Sequence, residues 1–496
     1  MANKKLGIIF LATVILTFFA GYFSNQVIDL FPSRRSSDLF EFINGEFEKY
    51  YYYDLNDPDK HEAFIRSIEA IIETYGKLNN DPYTRLVSSP VGESPQDHEA
   101  YHGIGVTIFQ ETGFLRILDV NPNGPAHGLL YPNDIILGVK VNNVAILFDE
   151  LNTFSEMTQL ISGQKGDLKT LIVMDPDNHI YDIEIELDEI KTPSVTLLDL
   201  NQNDIGYIRI HRFNPFIQQT SVGTASLFLD ALNLIEHQFN QGDPSSKTLI
   251  LDLRNNPGGA LNALNREDTS TVPGITQQLL LRDLNQPIFS IDDNQKQMTH
   301  YYGGLNQAKP YQIVVLVNEQ SASAAEVLAA TLSSAGYLVY GRQTYGKGVY
   351  QNTRNLFTIR GIQYALTLTE GQWYYDGDKN VKDHPIPVID LPKEGIQNSV
   401  LPVYYQTIRK DTVDPTLIPY QAFLNLYLHQ SMREDGYFDE ATEQAFLMFQ
   451  IAQGIPATGI LDLITARHIH MVYQRMRSDI QYDTELQALI DRINAS

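Results

Sequence analysis

The chain contains no cysteine. That absence excludes a disulfide scaffold, a thiol nucleophile, iron–sulfur clusters and Cys-type zinc sites. Basic residues are scarce as well: 36 Lys and Arg stand against 60 Asp and Glu, a formal charge of −24. Nucleic-acid binding wants clustered Lys and Arg, so the charge argues against that class of partner. No G-x-S-x-G segment is present, which leaves the strained serine elbow of the α/β-hydrolases without support. What is abundant is apolar: 43% of the residues are hydrophobic, enough for a sizeable core and incompatible with global disorder. At ~150 residues per domain, the 496 residues correspond to three domains plus extra segments.

The N-terminus carries Lys4 and Lys5 and then an uncharged apolar run over residues 6–23. As a helix that run is roughly 27 Å long, close to the ~30 Å hydrocarbon thickness of a bilayer. Positive residues before it predict an N-terminus inside and the bulk of the chain outside. The run reads as a membrane anchor. A cleavable signal peptide is the alternative, although Phe19-Ala20-Gly21-Tyr22 is a poor cleavage site. Residues 39–78 then read as helical, with Phe64, Ile65, Ile68, Ile71 and Ile72 at helical spacing, and Asp81-Pro82 closes the region with a turn. From 101 to about 190 the texture changes to short strands, expected near 103–106, 115–120, 134–141 and 170–174. From 205 to about 391 strands and helices alternate. There, 248–252 and 313–317 are continuous apolar runs, as in strands covered on both faces, and 322–332 reads as a helix of small apolar residues. Residues 420–469 show three short helical patterns joined by Gly-containing turns.

Three short patterns point to three different chemistries. His98-Glu99-Ala100-Tyr101-His102 is a literal H-E-x-x-H. That zinc motif needs one helical turn through both histidines, but Gly103-Ile104-Gly105 follows at once and reads as a strand. Gly341 to Lys347 nearly forms a phosphate-binding loop, yet Gly348 stands where Ser or Thr should ligate magnesium, and a strand rather than a helix follows. Ser321-Ala322-Ser323-Ala324-Ala325-Glu326 begins the small-residue helix. Ser323 with Glu326 three residues on is a capping box, and capping alone would account for both. Alternatively Ser323 is a nucleophile at the positive end of a helix, with Lys347 between two glycines as its base, since a desolvated lysine accepts a proton more readily. Asp252-Leu253-Arg254-Asn255-Asn256-Pro257-Gly258-Gly259 ends an apolar strand, where ligand and catalytic groups gather in α/β sheets. Its glycines either form a simple turn or, with the Ala324 N–H, an oxyanion hole.

Taken together these residues resemble the C-terminal processing (tail-specific) peptidases, serine peptidase family S41. That family carries D-L-R-x-N-x-G-G, then S-A-S-A-S-E, then F-G-K-G-x-x-Q. Here the three read Asp252 to Gly259, Ser321 to Glu326, and Tyr345-Gly346-Lys347-Gly348-Val349-Tyr350-Gln351. The resemblance implies Ser323 as nucleophile, Lys347 as base 24 residues later, Gln351 positioning the lysine, and Gly258 or Gly259 with Ala324 as the oxyanion hole. It also implies that Asp81-Pro82-Tyr83-Thr84 leads into a PDZ domain whose carboxylate loop is Gly103-Ile104-Gly105-Val106, where backbone N–H groups hold a chain end while the peptide adds as a strand. The tail, with Asp435-Gly436-Tyr437-Phe438-Asp439, Thr442, Phe449-Gln450, Thr458-Gly459 and Asp462, is similar to a peptidoglycan-binding domain.

The implied architecture is multidomain α/β. It comprises an N-terminal transmembrane helix or signal segment (1–30), a helical and dimerising N-terminal region (38–97), a PDZ-like β-rich domain (98–190), an α/β Ser-Lys protease core (191–395) and a small C-terminal three-helix bundle (410–480). The implied function is a membrane-anchored, extracytoplasmic serine endopeptidase that recognises C-terminal tails, works without metal or cofactor, and partners protein substrates, peptidoglycan and a second copy. The sequence departs from the family pattern at Ala325, across 260–302, and at His384-Pro385-Ile386-Pro387. A non-catalytic cell-wall scaffold and the zinc motif are the alternatives.

Overall fold

The computed structural model describes residues 57–90, 100–151, 154–217, 222–267, 271–359, 361–392 and 395–495. The apolar run 6–23 and the tyrosines at 50–53 lie outside these. Among the described residues no helix is long and apolar enough to cross a membrane. The chain divides into two compact units, residues 1–86 and 87–496.

In the first unit, helix α1 (Asp57–Asn79) carries an exposed apolar stripe of Phe64, Ile71, Tyr75 and Leu78. It stops where Asn80 turns left-handed (φ 52°) and the Asp81 N–H closes back onto the Gly76 carbonyl. Asp81 then caps Tyr83 N and Thr84 Oγ1. The helical stretch expected over 39–78 is thus seen from 57 onward. Strand β1 (Arg85–Pro90) follows and runs across the boundary into the second unit.

The second unit begins with a strand-rich block. Strand β2 (Ala100–Gly103) pairs antiparallel with β9 (Asp188–Lys191), drawing the two ends of the block together. Between them lie β3 (Val106–Glu111), β4 (Phe114–Val120), β5 (Ile135–Val141), β6 (Val144–Leu147), helix α2 (Phe154–Ile161), β7 (Leu168–Met174) and β8 (Ile180–Glu186). The sheet runs β3-β4-β5-β7-β8 with β6 beside β5, so β3 is an edge strand. Asn142 and Asn143, both at positive φ, supply the two-residue turn from β5 to β6. Leu115 and Ile117 on β4 and Leu171 and Val173 on β7 point inward at period two and, with Ile136, Val139, Phe148 and Ile185, form the block's own core. Gly103 ends β2 and Val106 starts β3, so the single strand start expected over 103–106 is two strands joined by a turn.

The alternating region builds two sheets. Its elements are β10 (Val195–Leu198), β11 (Ile205–Ile210), α3 (Thr224–Phe239), β12 (Thr248–Asp252), α4 (Ile275–Leu279), β13 (Phe289–Asp292), β14 (Met298–Tyr301), β15 (Gln312–Val317), α5 (Ala324–Ser334), β16 (Leu338–Gly341), the long hairpin β17 (Val349–Ile359) and β18 (Ile362–Tyr375), and β19 (Ile389–Asp390). The main sheet has the order β10-β11-β12-β15-β16-β19 and is parallel except for β10. Strand β13 pairs with both β14 and β18, and β17 with β18, in a second, antiparallel sheet. Every residue of β12 is buried. One face of the main sheet, with Leu249, Leu251, Ile313 and Val315, packs on α3 and α5. The other face, with Tyr207, Ile250, Val314 and Leu316, is covered by a helix from the far end of the chain.

The tail has α6 (Ile418–Leu428), α7 (Glu440–Gln453), α8 (Leu463–Ser478) and α9 (Thr484–Ala495). The first three bundle around Phe423, Phe446, Phe449 and Tyr473. Two similar corners join them. Buried Gln421 accepts from Gly436 N and Asp439 caps Thr442 N, while buried Gln450 accepts from Gly459 N and Asp462 caps Thr465 N. The tail residues singled out in the sequence therefore build corners and caps. Along one face of α8, Arg467 pairs with buried Asp134 of the strand-rich block and Gln474 with Asp119. Helix α9 leaves the bundle: its Leu486, Leu489 and Ile490 cover the second face of the main sheet, so the tail is a three-helix bundle plus one helix of the core.

Candidate active site

Strands β12 and β15 lie side by side in parallel, with Asp252 opposite Leu316. Their carboxyl ends open on one edge, and the loop after each carries candidate residues. The two loops are stitched together. Asn255 N donates to Asn318 Oδ1 (2.9 Å), Asn318 Nδ2 to Asn255 Oδ1 (2.7 Å), Ser321 Oγ to the Leu253 carbonyl (2.8 Å), and Ala322 N to the Asn256 carbonyl (2.9 Å). Gly258 consequently lies against the start of α5. A Cβ there would stand 2.8 Å from Ser323 Cβ and 3.0 Å from Ala324 N, and its φ is +99°, so only glycine fits.

Ser323 is the residue just before α5 and sits at φ 55°, ψ −119°, a conformation that L-residues rarely adopt. Its hydroxyl does not cap the helix, so capping alone does not account for the serine. Its backbone N–H donates to Glu326 Oε2 at 2.8 Å. Glu326 is fully buried, and the same carboxylate accepts from Gly346 N (2.6 Å) and Lys347 N (2.9 Å). One side chain thus ties the Ser323 backbone to the Lys347 backbone. Sequence reasoning read Glu326 only as half of a capping box; its second set of partners is 20 residues away in the chain and left no local signal.

Half-buried Lys347 reaches along β17, where its Nζ donates to Gln351 Oε1 at 2.6 Å, and Gln351 Nε2 donates to Thr369 Oγ1 on β18 at 3.2 Å. Trp373 Nε1 donates to the Lys347 carbonyl (2.7 Å) and Asn380 Nδ2 to the Gly348 carbonyl (2.8 Å), fixing the lysine backbone from both sides. Among the described residues Ser323 Oγ and Lys347 Nζ share no hydrogen bond.

The two glycines after Pro257 differ. The Gly258 N–H is taken by Asn256 Oδ1 at 2.8 Å, whereas the N–H groups of Gly259 and Ala324 meet no acceptor among the described residues. Of the two glycines named for an oxyanion hole, Gly258 has its donor already engaged. Its role here is the close approach to α5.

Below the turn, Asp252 and Arg254 form the base of the loop. Burial alone would raise the Asp252 carboxyl. The guanidiniums of Arg254 and Arg209, with hydrogen bonds from Arg254 and Tyr207 Oη (2.6 Å), outweigh it and hold the group well below the usual carboxylate range.

In the strand-rich block, Gly103, Ile104 and Gly105 are buried and Val106 is half-buried. The Ile104 carbonyl accepts from Ala126 N (2.9 Å) and the Gly105 carbonyl from Asn121 N (2.8 Å). The N–H groups of Ile104 and Gly105 donate to no acceptor among the described residues. They stand at the start of edge strand β3.

His98 and Glu99 lie outside the described residues. The rest of the H-E-x-x-H motif is strand: His102 pairs with Glu189 across β2 and β9. The helical turn that zinc ligation would need is absent there, which corrects the zinc alternative. The near P-loop is followed by strand β17 rather than by a helix, as the sequence indicated.

Residues 204–387 match the model of peptidase family S41, and residues 417–469 match that of the putative peptidoglycan binding domain. The chain is similar to the carboxy-terminal processing protease CtpB of Bacillus subtilis, 24% identical over 443 residues, covering 87% of this chain and 84% of that one. It is also similar to a CtpA-like serine protease of Staphylococcus epidermidis, 25% identical over 474 residues, covering 92% and 86%. Among solved structures, the photosystem II D1 C-terminal processing protease aligns at a TM-score of 0.39 and 19% identity, over 72% of this chain and 88% of that one. Ser323 and Lys347, held by one buried carboxylate, both lie inside the segment that matches peptidase family S41, so the chain carries a serine-type peptidase domain similar to those of the carboxy-terminal processing proteases.

Proposed function

We propose that the chain is an endopeptidase with a Ser-Lys dyad that cuts proteins presented by their C-terminal tails. The observation that carries this reading is the Glu326 carboxylate, which bonds the backbones of Ser323 and Lys347 into one unit. Ser323 Oγ attacks the scissile carbonyl carbon while its proton passes to neutral Lys347 Nζ. The carbonyl oxygen becomes an oxyanion facing the N–H groups of Gly259 and Ala324 at the N-terminus of α5. Collapse breaks the C–N bond, the protonated lysine supplies the leaving amine with its proton, and water then hydrolyses the Ser323 ester by the same route in reverse order. Gln351 orients the lysine through the 2.6 Å bond. Substrate binding brings Nζ and Oγ together, as catalytic hydrogen bonds often tighten only in the complex.

In this reading the strand-rich block acts as a PDZ domain. A chain-end carboxylate sits on the N–H groups of the loop from Gly103 to Val106, and the peptide adds as a strand to the edge of β3. Residues 1–30 anchor the chain, the peptidase lies outside the cytoplasm, residues 38–97 pair two copies, and the tail holds peptidoglycan. The test is turnover of a protein with an unstructured apolar tail. Ser323→Ala and Lys347→Ala each reduce cleavage to background while the thermal midpoint is retained. Undiminished cleavage by either variant overturns the dyad, and no cleavage by the unmutated chain would leave the cell-wall scaffold as the better reading of its binding modules.

A further inference from the structure

The segment 479–495 lies beyond both matched family segments, yet it returns to the peptidase. Asp483 and Glu485 stand at the start of α9 and are 5% and 2% exposed. Their partner is Arg254, also buried, one residue before the Asn255–Gly259 turn. Arg254 Nη1 donates to Asp483 Oδ1 (2.9 Å) and Glu485 Oε2 (3.0 Å), Nη2 to Asp483 Oδ2 (2.6 Å) and Asp252 Oδ2 (2.7 Å), and Nε to Asp252 (3.1 Å). All five N–H groups of the guanidinium are therefore bonded to carboxylates, leaving it no free direction in which to shift. Glu485 in turn pairs with Arg342, at the end of β16. Asp483 also accepts from Leu486 N and so caps α9.

We propose that Asp483 and Glu485 are positioning residues of the peptidase site: through Arg254 they hold the Asn255–Gly259 turn against Ser323 and Ala324. The chain of contacts is short. Arg254 fixes the residue at which β12 passes into the loop. Leu253 and Asn256, on either side, accept from Ser321 Oγ and Ala322 N just ahead of Ser323. Gly258 then fills the gap beside Ser323 Cβ, and the Gly259 N–H is left free. Any displacement of Arg254 is passed to that N–H, where misplacement by a fraction of a hydrogen-bond length weakens oxyanion stabilisation. The inference rests on the reading of Ser323 and Gly259 given above.

The experiment uses the full chain and measures kcat and KM on an unstructured protein substrate at a temperature where circular dichroism shows each variant folded. Asp483→Asn combined with Glu485→Gln is expected to lower kcat about tenfold or more while KM stays within twofold, a smaller loss than the ~10²–10³ of deleting an oxyanion donor. Glu485→Gln alone keeps two of the three carboxylates around Arg254 and is expected to lose about threefold in kcat, and Glu485→Asp, which keeps the charge, to recover part of it. Leu489→Ala, on the same helix but touching only the apolar face, lowers the thermal midpoint and keeps kcat within twofold. Unchanged kcat in folded Glu485→Gln overturns the proposal, as does a kcat loss in Leu489→Ala equal to that of the charge variants. Ser323→Ala runs alongside: wild-type turnover in that variant defeats the dyad itself, whereas an inactive Ser323→Ala beside fully active charge variants defeats only the role of Asp483 and Glu485.

Discussion

Ser323 carries backbone strain that a non-catalytic helix cap would not need. A positive φ outside glycine costs about 1–3 kcal/mol and persists where the surroundings impose it. Ser323→Gly relieves that strain and is expected to raise stability by about 1 kcal/mol while abolishing cleavage; Ser323→Ala abolishes cleavage without the gain. Denaturant midpoints of the two variants separate these outcomes. Glu326 is the second test at this scale. As a carboxylate it is an acceptor only, matched to three N–H donors. Glu326→Gln turns an NH2 group toward one of those donors. It is expected to cost about 2 kcal/mol and, by loosening Ser323 against Lys347, about a hundredfold in kcat. Ser323 and Lys347 were legible as candidates because each sits in a local pattern, a helix start and a glycine-flanked lysine, whereas Gln351 entered only through the family resemblance. The link through Glu326 was not legible, because a carboxylate's second partner depends on which distant loop folds over it.

Between elements, the contact of α8 with the strand-rich block is electrostatic and buried. Asp134 is fully buried, and burial raises its carboxyl to about 6 despite Arg467 and the Tyr131 N–H; Asp175 adds to the rise. Tyr131 and Tyr181 are the other titratable neighbours. The folded pKa lies above the unfolded value, so the folded state binds the extra proton. Stability therefore falls as pH rises from about 4 to about 6, and the full cost of the ionised group is present above that window. Arg467→Met removes its compensating charge and is expected to cost about 3–5 kcal/mol at pH 7.5. The loss shrinks below pH 6, where Asp134 takes up a proton instead. Thermal melts of both proteins at pH 5 and 7.5 check this; an equal loss at both values would show that packing rather than charge dominates. In the strands, alternating and continuous apolar runs predicted β4, β5, β7, β12 and β15 to within a residue or two, since period-two burial is written locally. The separation of β2 from β3 at Ile104 was hidden, because it depends on β9 pairing from 85 residues away.

On the scale of the whole molecule, the chain closes on itself: α9, the last described element, forms the second layer of the sheet whose first described strand begins near residue 195. A chain ending at Tyr482 is expected to expose Tyr207, Ile250, Val314 and Leu316, to bind a hydrophobic dye and to aggregate, since an uncovered apolar sheet face is an association surface. A monodisperse, dye-negative truncated protein would contradict the assignment of α9 to the core. By itself the amino-acid sequence determined the order of the blocks, the α/β character of the central one, the absence of thiol chemistry and the candidate serine and lysine, because composition, periodicity and capping act between near neighbours. Only the tertiary structure decided which glycine keeps a free N–H, which carboxylate binds Ser323 to Lys347, and that the tail's final helix belongs to the peptidase. Each of these depends on groups far apart in the chain meeting in a buried site, where an unpaired polar group is costly and the partner that packing supplies fixes the role.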